Sequence, residues 1–185
     1  MRITRVTTKK GDKGETDLGN GTRISKNHPR IHTIGEIDEL NAFLGFAITK
    51  TTDNSCISDL KSIQNDLFNL GGELALPDSD LNLLPDERVN FLEKHIEKMN
   101  SELPPLKEFI LPGGDEFSSR LGLARAVCRR AERTLVGLLE TEKGRELWIV
   151  YLNRLSDYLF VLARYYTHQS GGGETQWVKR NGWVL

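Results

Sequence analysis

Apolar residues return at spacings of three and four in five separate stretches of this chain, the period of an amphipathic helix and not of a strand. Gly35–Lys50 sets Ile37, Leu40, Leu44 and Ile48 on one face, and Ser55–Ala75 does so with Ile57, Leu60, Ile63, Leu67, Leu70 and Leu74. Pro85–Asn100 carries Val89, Leu92, Ile96 and Met99, and Pro104-Pro105 blocks its continuation. Asp115–Glu140 begins after the breaker Pro112-Gly113-Gly114, with Leu121, Ala124, Cys128, Ala131, Leu135 and Leu138 as its stripe. Glu142–Ser170 runs through Trp148, Tyr151/Leu152, Leu155, Leu159, Leu162 and Tyr166 until Gly171-Gly172-Gly173 stops it. No strand alternation of useful length lies between these segments. Each helix has one apolar face to bury, so the expected fold class is all-α, a five-helix antiparallel bundle over residues 35–170. Residues 1–34, rich in Gly, Thr and Lys, predict an ordered loop with short extended pieces, and residues 171–185 form a tail. No domain boundary or internal repeat is visible across 1–185.

The polar residues of the fourth helix change this bland picture. Arg125–Arg133 reads R-A-V-C-R-R-A-E-R, and Arg125, Arg129 and Glu132/Arg133 fall on one helical face. Guanidinium groups crowded together repel unless an anion answers them, and the motif supplies one acid, Glu132. By itself the stripe fits either a site for a polyanionic ligand or a solvated charged face.

Overall charge does not choose between them: 25 Lys+Arg against 26 Asp+Glu give a net charge of −1, which excludes a bulk nucleic-acid coat protein. Charge is uneven, however. Residues 1–34 hold eight bases (Arg2, Arg5, Lys9, Lys10, Lys13, Arg23, Lys26, Arg30) against three acids (Asp12, Glu15, Asp17). Within them, T-K-K-G-D-K-G-E-T (Thr8–Thr16) combines glycines that admit close backbone approach, lysines that supply charge and hydroxyls that donate. It is not a Walker A loop, and it could equally be a flexible basic arm. Gly11-Asp12-Lys13-Gly14 also has the spacing of a KH-type GXXG loop, but that module needs strands the chain does not offer.

Other polar positions stay open at this level. Asp38 sits beside the apolar stripe of the first helix, as a surface acid or as a partner for a clustered arginine. Asn153, Ser156 and Asp157 lie three and four apart on the last helix, as an inter-helix network or a ligand contact. The four histidines show no H-E-x-x-H, and Pro29 argues against a shared helical face for His28 and His32. Cys56 and Cys128 have no metal or redox spacing and read as buried thiols of a reducing compartment. No apolar run approaches a membrane span and no signal-peptide region is visible, so a cytoplasmic protein without membrane or nucleic-acid partners is expected. Trp177 and Trp183 beyond the triple glycine suggest a docking tail or lid.

Taken in order, T-K-K-G-D-K-G-E-T, G-E-I-D-E-L-N, F-I-L-P-G-G, R-A-V-C-R-R-A-E-R and Y-L-N-R-L-S-D-Y-L-F resemble the PduO-type ATP:cob(I)alamin adenosyltransferases from about Thr7 to about Arg164. The resemblance implies a five-helix bundle assembled as a homotrimer with active sites between subunits. The reaction implied is transfer of the 5′-deoxyadenosyl group of ATP to the cobalt of reduced cobalamin, with release of tripolyphosphate and use of Mg2+. It further implies that Thr8, Lys9, Lys10, Gly11, Thr16 and Lys26 wrap the triphosphate. Arg129, Arg130, Glu132 and Arg133 would hold nucleotide and magnesium-linked phosphates, and Asn153 would contact the nucleotide. Asp38 and Arg125 would form an inter-subunit salt bridge shaping the corrinoid side. Phe109 would press on the lower corrin face and keep the axial ligand away. Implied partners are a flavin reductase and an adenosylcobalamin-dependent mutase. A regulatory nucleotide binder, a purely structural bundle and an RNA-binding arm are the competing classes.

Overall fold

The structure, a computed structural model, describes residue 7 and residues 9–179. A two-stranded antiparallel hairpin, β1 (Glu15–Asp17) and β2 (Arg23–Ser25), precedes five helices: α1 (Pro29–Ile48), α2 (Asn54–Ala75), α3 (Glu87–Ser101), α4 (Glu116–Leu139) and α5 (Glu146–Gln169). The five expected helices are present, and the boundaries that moved did so for local reasons. α1 begins at Pro29 and not at Gly35, because proline at the first helical position gives up an N–H that the helix leaves unpaired anyway. The His28 ring completes that start by accepting the Arg30 N–H at 3.2 Å. Read from the chain alone, Pro29 looked like a break between two histidines; it is the opening of a helix. α5 starts at Glu146 and not Glu142, since Gly144 turns the chain where any side chain would run into Leu139 and Trp148. Aspartates cap two other helices: Asp53 accepts from the Ser55 and Cys56 amides, and Asp115 from Ser118.

The apolar stripes read from the sequence are the core. Leu40, Leu44, Leu60, Ile63, Leu67, Leu121, Ala124, Cys128, Ala131, Leu135, Leu155 and Leu159 are all fully buried. Each buried aliphatic side chain contributes on the order of 1.5–3 kcal/mol of transfer free energy, before the ordering entropy is subtracted. Neighbouring helices pack in the order α2, α1, α4, α5, α3. Polar groups tie α2 to α3 and α5: Asp66 accepts from Arg88 Nε (2.7 Å) and from the Tyr151 hydroxyl (2.7 Å). One turn pair further along α2, buried Glu73 accepts from Trp148 Nε1 (2.6 Å), Arg145 Nη1 (3.0 Å) and the Leu84 amide (2.7 Å). Arg30, also buried, joins the start of α1 to the Leu74 carbonyl (2.8 Å) and to Glu142 (2.9 Å). No helix among the described residues is long and apolar enough to cross a membrane.

The candidate nucleotide and corrinoid sites

The hairpin holds the glycine–lysine segment against the bundle. Arg23 donates to Glu15 (2.9 Å), Asp17 (3.1 Å) and the Lys10 carbonyl (2.6 Å), and Gly19 donates its amide to Ala75 at the end of α2 (2.8 Å). Gly14, at φ +81°, takes a left-handed conformation that suits glycine, and its carbonyl accepts the Lys26 amide at 2.8 Å. Lys26 Nζ lies 2.9 Å from the position a Cβ on Gly11 would occupy, so the ammonium rests over the glycine backbone. Lys9, at φ +59°, and Lys10 are exposed at the entrance. Thr16, Lys26 and Asp38 line one hollow together with Ile31, Ile34 and Ala75. Thr8 and Trp183 lie outside the described residues.

A second cleft opens on the other side of the helix pair α4/α5. Arg129, Glu132, Arg133 and Asn153 line it. Asn153 Nδ2 donates to Glu132 Oε1 at 3.1 Å, and Arg133 donates to the Arg129 carbonyl at 2.9 Å. Among the described residues no carboxylate forms an ion pair with Arg129 or Arg133. Arg130 is turned away: it reaches across to α1, donating to Glu36 (3.1 Å) and Glu39. One helix thus carries adjacent arginines with opposite placements, one group facing α1 and the other facing open solvent. The expected polar patch on α5 also divides. Ser156 is buried but bonds its own helix at Asn153, Asp157 pairs with Arg154, and Asn153 alone reaches the cleft.

One helical turn before Arg129, Arg125 lines a third, more enclosed hollow between α4, α5, the loop 110–114 and the tail 173–175. Its guanidinium lies 5.1 Å from the centre of the Phe160 ring, and its Nε is buried without a hydrogen-bond partner. Burial, then the neighbouring charge of Arg129, pulls its pKa down. Asp38 shifts the opposite way: partial desolvation raises its pKa, although the residue is exposed and Lys26 lines the same hollow. Asp38 and Arg125 therefore line different hollows of one chain, and among the described residues neither forms an ion pair. Phe109 is 80 % exposed, an unusual state for a phenylalanine, and precedes Ile110, which lines Arg125's hollow.

Neither thiol is a nucleophile. Burial pushes Cys56 up to about 11 and Cys128 higher still, and Cys128 donates to the Leu152 carbonyl at 3.2 Å. Among the described residues no group of three His, Cys, Asp or Glu is arranged to hold a metal. The tail contributes residues that the sequence motifs did not single out. Arg164 and Glu174, joined at 2.5 Å, both line the Arg125 hollow, as do Ser118 and Thr167. An arginine in the apolar run of α5, followed by an acid just past the triple glycine, is the signal that could have found the first pair.

Fold and site together define a helical-bundle protein with an arginine-lined cleft and a separate, more enclosed hollow on its α4/α5 pair. Residues 6–166 match the sequence family described as cobalamin adenosyltransferase, and the chain belongs to that family. It is 44% identical over 177 residues to the cobalamin adenosyltransferase of Cupriavidus metallidurans, covering 95% of each chain. It is 42% identical to the corrinoid adenosyltransferase of Bacillus subtilis, over 94% of this chain and 92% of that one. A variant of the PduO-type ATP:corrinoid adenosyltransferase from Lactobacillus reuteri, complexed with cobalamin and ATP, superposes with a TM-score of 0.90. That likeness is at 33% identity and covers 95% of this chain and 100% of the other.

Proposed function

We propose that the protein transfers the 5′-deoxyadenosyl group of ATP to the cobalt of a reduced corrinoid, cob(I)alamin or a precursor such as cob(I)yrinic acid a,c-diamide. The observation that carries the reading is the α4/α5 cleft, in which Arg129 and Arg133 face outward with no carboxylate paired to them while every deeply buried arginine of the bundle has one. The electron pair of cobalt(I) forms the new Co–C5′ bond, the C5′–O5′ bond breaks, and its pair leaves on tripolyphosphate. Cobalt(I) is itself the nucleophile, so the protein's work is alignment and stabilisation of the departing charge. Arg129, Arg133 and Lys26 supply fixed positive charge, with Lys9, Lys10, Gly11, Thr16 and Thr8 around the phosphates and Asn153 holding the nucleotide. Arg130, bound to Glu36 and Glu39, fixes α4 against α1 and so sets the angle at which Arg129 and Arg133 face the ligand.

The residues present fit Mg2+ bound through the phosphates: Glu132 is the one carboxylate of the cleft, and Mg2+ commonly takes one or two carboxylates plus phosphate oxygens and water. When bound it would neutralise charge on the leaving triphosphate.

The glycine–lysine hollow and the arginine cleft share no lining residue, which supports a site completed by a second copy. A homotrimer in which Asp38 of one subunit meets Arg125 of the next would give the exposed Asp38 and the half-buried Arg125 an ion-pair partner. Phe109, exposed and next in sequence to Ile110 of the Arg125 hollow, would cover the lower corrin face. Excluding the axial base leaves a four-coordinate cobalt(II), which is easier to reduce. A cytoplasmic setting, a flavin reductase upstream and an adenosylcobalamin-dependent mutase downstream complete the proposal.

The test is an anaerobic assay of cob(I)alamin and ATP, following loss of the cobalt(I) absorption. Wild type is expected to consume both substrates and Arg129→Ala to lose ATP use. Phe109→Ala is expected to suffer most when the substrate starts as cobalt(II). Persistence of the cobalt(I) absorption with wild type and saturating ATP would leave a nucleotide-binding module without transfer chemistry.

A further inference from the structure

The tail beyond α5 does not leave the bundle. Gly171, at φ +73°, reverses the chain, and the Gly172 amide donates to the Thr167 carbonyl at 2.9 Å. Residues 175–177 then run antiparallel to 109–111. Leu111 donates to the Thr175 carbonyl at 2.8 Å, Trp177 donates to the Phe109 carbonyl at 2.6 Å, and Ile110 faces Gln176 between them. This pairing sets Phe109 and Trp177 directly opposite each other across a two-stranded ribbon. Two hydrogen bonds are too few to hold such a ribbon in water, so its position depends on how its ends are fixed.

One end is fixed by charge. Arg164 is 4% exposed; its Nε donates to Glu174 Oε1 at 2.5 Å, and its Nη2 to Glu174 Oε2 at 3.3 Å and to the Pro104 carbonyl at 2.9 Å. A single guanidinium therefore holds three pieces of chain: α5, the start of the Phe109 loop and the tail. The other end is seated on the same helix, where Gly114, at φ +104°, lies so close to Thr167 that a Cβ would stand 2.6 Å from its hydroxyl. Glu174 is the carboxylate that compensates the buried Arg164, and a buried arginine deprived of its counter-charge is strongly disfavoured. Without Glu174 the guanidinium is driven toward water, and the tail strand loses its anchor.

We propose that Arg164 and Glu174 are positioning residues for Phe109: their buried pair fixes the tail strand, and the tail strand holds Phe109 by its backbone against the corrinoid hollow. This rests on the reading of Phe109 as the residue that keeps the lower axial ligand off cobalt, and it adds that Phe109 is effective only while the tail is latched.

The test uses the full-length protein with cob(II)alamin and ATP, and reads the fraction of four-coordinate cobalt(II) from its paramagnetic resonance spectrum. Glu174→Ala and Glu174→Gln are expected to lower that fraction about tenfold, the scale for loss of a charge-assisted contact. ATP affinity should stay within about twofold, since it depends on the separate arginine cleft. Glu174→Asp, which keeps the charge, should recover most of the four-coordinate signal. Phe109→Ala, measured alongside, separates the two ideas. Loss of the signal in Phe109→Ala but not in Glu174→Ala overturns the latch alone, whereas a full signal in Phe109→Ala overturns the role of Phe109 on which the latch rests. Equal loss of signal and ATP affinity in the Glu174 variants would show a general folding defect and also overturn it.

Discussion

Two populations of arginine share this bundle. Arg30, Arg88, Arg145 and Arg164 point inward and each meets a carboxylate of the same chain: Glu142, Asp66, Glu73 and Glu174. Arg129 and Arg133 point outward from α4 into a cleft whose one carboxylate, Glu132, bonds Asn153 instead. Arg125 lies between the populations, half-buried over Phe160 with its Nε unpaired. A cation that has lost its water needs a local anion, so the first population is complete within the fold. The second keeps much of its hydration, which under the proposed function it would exchange for phosphate. Compensation inside the chain marks an arginine as part of the scaffold; its absence marks one available to a ligand or a neighbouring subunit.

Breaking the scaffold set should give the largest effect. Glu73→Ala strips the partner from Arg145, Trp148 and the Leu84 amide, and the expected loss is about 3–5 kcal/mol of folding free energy, read as a lower denaturant midpoint at unchanged slope. The ligand set should behave in the opposite sense. Arg129→Ala is expected to weaken ATP binding by about 1.5–3 kcal/mol by calorimetry, with stability changed by less than about 0.5 kcal/mol. If Arg129→Ala destabilises the fold as much as Glu73→Ala does, the division between the two sets is wrong.

Asp38 and Arg125 sharpen the comparison through pH. In the single chain burial holds the Asp38 carboxyl above its ordinary pKa. Meeting Arg125 of a second subunit would pull it down, so assembly would favour the ionised form. The contribution to assembly is then fully present above the raised single-chain pKa and lost as pH falls through the lower, assembled one. Sedimentation at decreasing pH should show the oligomer loosening in the acid range. Asp38→Asn should be weaker at neutral pH and lack that dependence. The smallest effect belongs to Arg130, whose exposed pairs with Glu36 and Glu39 are worth about 0.2–1 kcal/mol, so Arg130→Ala should cost no more than that in stability and move ATP affinity less than Arg129→Ala does.

Much of this was legible from residue order. The five apolar stripes located every helix because burial demands a repeat that survives local detail, as Leu121 through Leu138 show on α4. Termini were less legible: Pro29 signals a break or a beginning with equal force, and only the His28 cap and the Arg30 bonds decide for a beginning. Of the candidate site, the R-A-V-C-R-R-A-E-R motif pointed to the helix that lines the cleft, yet spacing could not separate Arg130 from Arg129 and Arg133. That separation depends on where α1 packs, which places Glu36 and Glu39 against one side of α4. The Arg164–Glu174 pair was not legible, because its meaning lies in a chain reversal at Gly171 and a pairing with residues far away in sequence.

The sequence by itself determined the helices, the buried faces and the family, since each follows from periodicity or from motifs contiguous along the chain. Only the tertiary structure decided which arginines are already compensated, that Asp38 and Arg125 form no ion pair among the described residues, and that the tail pairs with the Phe109 loop. Those are facts about charges and backbone groups brought together from distant positions, and electrostatic and hydrogen-bond energies depend on distance through space, to which separation along the chain gives no guide.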